Sequence, residues 1–134
     1  MSPTLLALLL YAAWTLLLLG LIAGHRSVLV LRGRPANRFT PAGDDVSPFA
    51  ARLCRAHANC TENLPIAGAV LVVAQLSGHA DITDPLAFVL VGARLGQSVT
   101  HLISTSHPAV VVRFGFFLGQ VGLLGWWSLQ LVIA

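Results

Sequence analysis

The chain has 134 residues, enough for one domain, of which 56% are hydrophobic and 10% charged. A soluble domain carries about 25% charged residues, so the composition excludes a surface that faces water throughout, and lipid must cover much of the protein. The net charge of +3 rests on eight arginines and no lysine; they lie mostly in one loop and at the edges of apolar runs, which excludes the single basic patch of a nucleic-acid binder.

Residues 4–23, TLLALLLYAAWTLLLLGLIA, carry no charge. A run of about 20 apolar residues is the length that crosses a hydrocarbon core. A cleaved signal peptide is the competing reading, but no basic residue precedes the run, and it is long for a signal core. Residues 25–47 read as a loop. Ser47-Pro48 then pairs a helix-capping hydroxyl with a proline at the first helical position. The helix that follows is expected to reach about Gly78, bent near Pro65, with its apolar end, residues 60–78, as a second span. A third span over 85–106 is interrupted by Arg94 and His101. A short connection around His107-Pro108 leads to a fourth over 109–134, interrupted by Arg113.

Charge sets the direction. Arg26, Arg32, Arg34, Arg38, Arg52 and Arg55 lie between the first two apolar runs, while GHADITD, between the second and third, has no arginine. The positive-inside rule places the Arg-rich loop in the cytoplasm and both termini outside, as in a multi-pass protein of the cell inner membrane. Trp126 and Trp127 then fall toward the outer interface, where aromatic belts form. Short connections make neighbouring helices antiparallel, so the expected fold is all-α, a four-transmembrane-helix up-down bundle. GLIAG (20–24), GARLG (92–96) and GFFLG (115–119) match the G-x-x-x-G pattern that lets helices approach closely in lipid. Cys54 and Cys60 would point about 120° apart on a helix and lie about 9 Å apart along it, too far for a bridge. They read as free, buried, small residues with no redox or metal role.

The polar residues form stripes. At 100° per residue, Arg52, Arg55, Asn59, Glu62 and Asn63 fall within an arc of about 100°. Arg94, Gln97, Ser98, His101, Ser104 and Thr105 share about 120° of the third span, and Arg113 and Gln120 share a face of the fourth, flanked by Phe116 and Phe117. Hydroxyls in membrane helices often bond only to backbone or to a neighbouring helix, and that reading stands for Ser98, Ser104 and Thr105. An arginine in the bilayer costs at least about 2.5 kcal/mol, so Arg94 needs a partner, and Glu62 is the one carboxylate within any span. A purely structural Glu62–Arg94 pair is one reading. The other is a net positive pocket for a small ligand with carboxylates, since the guanidinium fork holds a carboxylate through two bonds.

RLCRAHANCTENLPI, residues 52–66, resembles the signature R-x-x-R-A-H-x-N-x-x-E-x-x-x-P of the membrane-associated proteins in eicosanoid and glutathione metabolism, the MAPEG family, here of bacterial type. ANRFTPAGDD, ARLGQSVTHLISTS and AVVVRFGFF are similar to further segments of that family, so the resemblance covers the whole chain. It implies a homotrimer that binds glutathione between subunits at the cytoplasmic side. By motif, Asn59 and Glu62 would hold the tripeptide, Glu62 near its ammonium group. Arg52, Arg55 and Arg94 would shape the polar base, with Gln97 and His101 beside them. Arg113 would sit by the sulfur and favour the thiolate. Arg32 or Arg34 would reach in from the neighbouring subunit, supported by Asp44 or Asp45. Ala58, Gln97 and His101 stand where family members often carry Arg, His and Tyr.

The resemblance therefore implies a membrane-bound, glutathione-dependent transferase or peroxidase acting on lipophilic electrophiles delivered by the bilayer. The alternative is a non-catalytic lipid-binding or scaffold member of the same family. A small multidrug transporter would carry a carboxylate in its first span, and this first span has none.

Overall fold

The computed structural model describes all 134 residues and is helical throughout. Four long helices, α1 (Pro3–Leu31), α2 (Pro48–Leu76), α4 (Ala87–Ile103) and α5 (His107–Ile133), are joined by the 32–47 loop and two short connections. A four-residue helix, α3 (Ala80–Thr83), and a 3₁₀ turn (Asp84–Leu86) fill the connection between α2 and α4. Three segments are long and apolar enough to cross a membrane: α1, α3 through α4 (Ala80–Ile103), and α5. α2, which carries Arg52, Arg55 and Glu62, is not among them.

The bundle forms because each long helix presents one inward stripe at heptad-like spacing, the pattern of a left-handed membrane bundle. On α1 the buried positions are Thr4, Ala7, Tyr11, Thr15 and Leu18. On α2, Leu53, Cys60, Ala67 and Ala74 recur every seven residues. Ala87, Leu90, Val91 and Arg94 line α4, and Gln120, Leu124 and Trp127 line α5. Many of these residues are small, so the backbones approach closely and van der Waals packing, not a hydrophobic drive, holds the helices in lipid. α1 packs on α2 and α4, α2 on α4, and α4 on α5.

Local chemistry sets the helix ends. The Ser47 hydroxyl accepts from the Ala50 amide at 3.1 Å, with Pro48 at the first helical position. α1 and α2 both stop at a glycine of positive φ, Gly33 (+102°) and Gly78 (+80°). In each case the next amide bonds back into the helix, Arg34 to the Leu29 carbonyl at 3.0 Å and His79 to Ala74 at 2.9 Å, the glycine-closed helix end that satisfies otherwise free carbonyls. α2 runs through Pro65 as one helix.

Several expectations shift. α1 continues eight residues past Ala23, to Leu31. α2 ends at Leu76, so Ser77 and Gly78 belong to the turn. α4 ends at Ile103, and residues 104–106 form the connection, its Ser104 hydroxyl bonded to the Ser106 amide and hydroxyl at 3.0 Å. His107 and Pro108 open α5 and are not a loop, because proline costs nothing in a first turn whose amides have no partner. Of the three G-x-x-x-G pairs, only Gly96 makes a close helix contact: a Cβ there would lie 2.7 Å from the Phe116 ring, while Gly20, Gly24, Gly92, Gly115 and Gly119 have open space. Trp126 is exposed, but Trp127 is 0% exposed and belongs to the core.

Candidate functional site

The polar stripes meet at the end of the bundle that carries the Arg-rich loop. α2 and α4 are antiparallel there, and the Arg52 Nε donates to the Leu102 carbonyl at 2.9 Å. One level deeper, Arg94 points at Asn59, its Nη1 lying 3.4 Å from both the backbone and side-chain oxygens of Asn59. The Asn63 amide donates to the same two oxygens at 2.9 and 3.2 Å. The guanidinium also lies over the Tyr11 ring, 5.4 Å from its centre. Arg94 is 1% exposed and its Nε has no partner.

Arg94 is therefore held by neutral oxygens and an aromatic face. The expected Glu62–Arg94 ion pair does not form within the chain. Glu62 is exposed, and the one ion pair present joins Arg34 to Asp45. The reason is angular. The α2 stripe is wide enough to straddle the helix, so Arg52, Asn59 and Asn63 turn partly inward while Arg55 and Glu62 stay on the outer edge.

α5 adds a second pair. The Arg113 Nη1 lies 2.9 and 3.0 Å from the two ring nitrogens of His101. Deeper still, the Gln120 amide donates to the Gln97 side-chain oxygen at 3.0 Å and to the Phe116 carbonyl at 2.9 Å. Gln97, Ser98 and Gln120 are buried, and Ser98 meets Cys60 at 3.3 Å. Both cysteines are free and buried. Toward the surface, Arg52, Arg55 and Thr105 line a recess of about 330 Å³ with Pro48 and Ala51.

The loop arginines stand apart from this cluster. Arg34 is bound within its own loop, to the Asp45 carboxylate and to the Arg38 carbonyl at 2.9 Å. Arg32 is exposed. The single Thr40 hydroxyl hydrogen is shared between the Asp44 and Asp45 carboxylates, whose oxygens lie 2.7 and 2.8 Å from the hydroxyl oxygen. The Thr40 hydroxyl holds the Asp45 carboxyl below the usual carboxylate range, with help from the Thr40 amide and the Arg34 charge.

Thus Arg52, Arg94, Gln97, Asn59, His101 and Arg113 gather at one end of one chain, Arg55 and Glu62 share its outer edge, and Arg32 and Arg34 do not join. Sequence reasoning missed Tyr11, the face on which Arg94 rests. Its one signal was a lone tyrosine within a leucine run. It also missed Asp84, which accepts from the Thr4 amide at 2.9 Å and the Thr4 hydroxyl at 2.6 Å and so caps α1 from across the bundle.

Fold and site define a helical membrane protein with a cationic polar cluster built into one end of its bundle. The MAPEG family model matches residues 4–133, nearly the whole chain, and the protein belongs to the MAPEG family. No curated protein matches it.

Proposed function

We propose that the protein is a membrane-bound enzyme that activates the thiol of glutathione toward lipophilic electrophiles or hydroperoxides, working as a homotrimer. The observation that carries this reading is a charge imbalance. Arg52, Arg55, Arg94 and Arg113 converge on one end of the bundle with no carboxylate paired to any of them. Glutathione has two carboxylates that guanidinium forks can hold and one ammonium that Glu62 can hold. The family membership supports the same ligand, since the family includes glutathione-dependent transferases and peroxidases.

In this reading α2 is the fourth membrane crossing, the Arg-rich loop faces the cytoplasm and both termini face outward. Arg52, Arg55 and Arg94 form the cationic base, Asn59 and Glu62 bind the tripeptide, and Gln97 and His101 complete the wall. Arg32 or Arg34 of a neighbouring copy closes the mouth. Arg113 sits six residues into α5, about 9 Å along it. A fixed cation there lowers the thiol pKa and raises the thiolate fraction. One unit of pKa requires about 1.4 kcal/mol of preference for the thiolate, which a single charge in a partly desolvated site can supply.

The second reading, a non-catalytic lipid-binding or scaffold protein, draws on two contacts. Arg113 is already engaged by His101 and Asn59 by Arg94. Calorimetry with glutathione on purified protein separates the two, binding being required by the first. Arg113→Leu is then expected to keep glutathione affinity within a few-fold while abolishing thiolate ultraviolet absorbance and conjugation. Wild-type activity in that variant would remove the thiolate role from Arg113.

A further inference from the structure

α1 has 29 residues, about 43 Å at 1.5 Å per residue. A hydrocarbon core is about 30 Å thick, and the headgroup layers bring the bilayer to about 40–45 Å. The charge-free run 4–23 fills the core, so the last two turns of α1 lie at headgroup level. There a cleft of about 570 Å³ opens between α1 and the loop residues Ala36, Asn37 and Phe39. Its lining divides into a polar part, with Arg26 and Asn37, and an apolar part, with Val30, Leu31 and Phe39.

Arg26 is held in place but not neutralised. Its Nη2 donates to the Thr40 carbonyl at 2.8 Å and lies 4.0 Å from the Cys54 sulfur. The Phe39 ring lies 5.5 Å from its guanidinium carbon. Arg34 packs on the same ring at 4.7 Å, but its charge is taken up by Asp45. Arg26 keeps its Nη1 and Nε hydrogens for a further acceptor. Beside this cation the final turn of α1 leaves Leu31 87% exposed. A fixed guanidinium next to uncovered apolar surface, at the depth where phospholipid phosphates lie, fits a phosphate attached to an apolar body.

We propose that this cleft binds an anionic phospholipid, its phosphate on Arg26 and Asn37 and its glycerol and first acyl carbons on Val30 and Leu31. The site lies apart from the α2–α4–α5 cluster and does not depend on the glutathione reading. The test is native mass spectrometry of the purified full-length protein in detergent, titrated with phosphatidylglycerol, phosphatidylcholine or inorganic phosphate. Phosphatidylglycerol is expected to bind about fivefold tighter than phosphatidylcholine, the ratio one arginine supplies at a membrane surface. Arg26→Gln should remove that preference, while Arg38→Gln, an exposed loop arginine outside the cleft, should keep it. Leu31→Asn, at a position too exposed to disturb folding, should weaken retention of phosphatidylglycerol and so tests the site even where Arg26→Gln fails to fold. Equal loss in the two arginine variants, unchanged retention in Leu31→Asn, displacement by inorganic phosphate, or equal binding of the two lipids would each overturn the site.

Discussion

Gly43 joins the loop's conformation to its packing. Its φ is +73°, and a Cβ would lie 2.8 Å from both the Ala50 carbonyl oxygen and the Cys54 sulfur. Gly33 also has positive φ but has open space around it. Alanine costs backbone strain at both sites and a backbone clash at Gly43 alone. We expect Gly43→Ala to cost about 2 kcal/mol or more, and Gly33→Ala about 1, read by thermal unfolding in detergent. Equal shifts would mean that the contact contributes nothing. The same loop depends on Asp45. Its carboxyl pKa is lowered, first by the Thr40 hydroxyl, so its contribution is present above the ordinary value of about 3.9. It is lost as pH falls through the lowered value. Protease protection of residues 32–47 should therefore fade only in acid, and Thr40→Ala should move that fading to higher pH. A pH profile unchanged in the variant would exclude the hydroxyl as the cause. Such loop contacts were not legible in the sequence, which marked Asp44 and Asp45 as site supports without showing that Arg34 and Thr40 bind them. Arg94 shows a related limit. Its need for a partner followed from its depth in an apolar run, but counting carboxylates pointed to Glu62. Asn59 oxygens and a tyrosine ring satisfy a guanidinium too, and a charge inventory does not see them.

Helix pairing in this protein turns on a few small residues. α4 meets α5 closely at Gly96, against the Phe116 ring, whereas Gly92, one turn away in the same G-x-x-x-G pair, faces open space. Leucine at Gly96 must push the ring or the helix aside, for about 1–3 kcal/mol. A Cβ at Gly92 meets nothing within 4 Å in the same chain. We expect Gly96→Leu to lower the unfolding temperature of the folded chain well below that of Gly92→Leu. The reverse order would place the close contact at Gly92, in an interface between copies. The element ends show what a sequence encodes locally. Ser47-Pro48 announced the start of α2 because capping needs only neighbours. The extension of α1 to Leu31 stayed hidden, because hydropathy marks the thickness of a bilayer and not the length of a helix. His107-Pro108 misled because proline marks both a connection and a first turn, and the capping position fell at Ser106.

At the scale of the whole molecule, α2 is the helix that does not fit lipid. Glu62 stands fourteen residues into it, about 21 Å from its start, near the middle of a bilayer if α2 crosses one. It is exposed, as is Arg55 two turns below it. A charge facing hydrocarbon at such a depth costs at least about 2.5 kcal/mol, and the chain has no inward partner for either residue. The other three long segments are apolar enough to face lipid, so the face of α2 is where a second protein surface is needed. We expect that surface to be another copy, with three chains in the detergent-corrected mass. Glu62 distinguishes the cases. If it faced lipid in a monomer, Glu62→Leu would remove a cost, raising or preserving stability and leaving the mass unchanged. If it lies against the arginines of a neighbouring copy, Glu62→Leu and Glu62→Gln should both reduce the trimer fraction and leave that copy's cations uncompensated, at roughly 3 to 5 kcal/mol for a buried pair. Helix content by circular dichroism should stay the same in both variants, because the Glu62 side chain holds no hydrogen bond in its own chain that folding would miss. A monomeric mass for the wild type, or a trimer indifferent to both substitutions, would leave the outer face of α2 turned to lipid and remove Glu62 from the assembly.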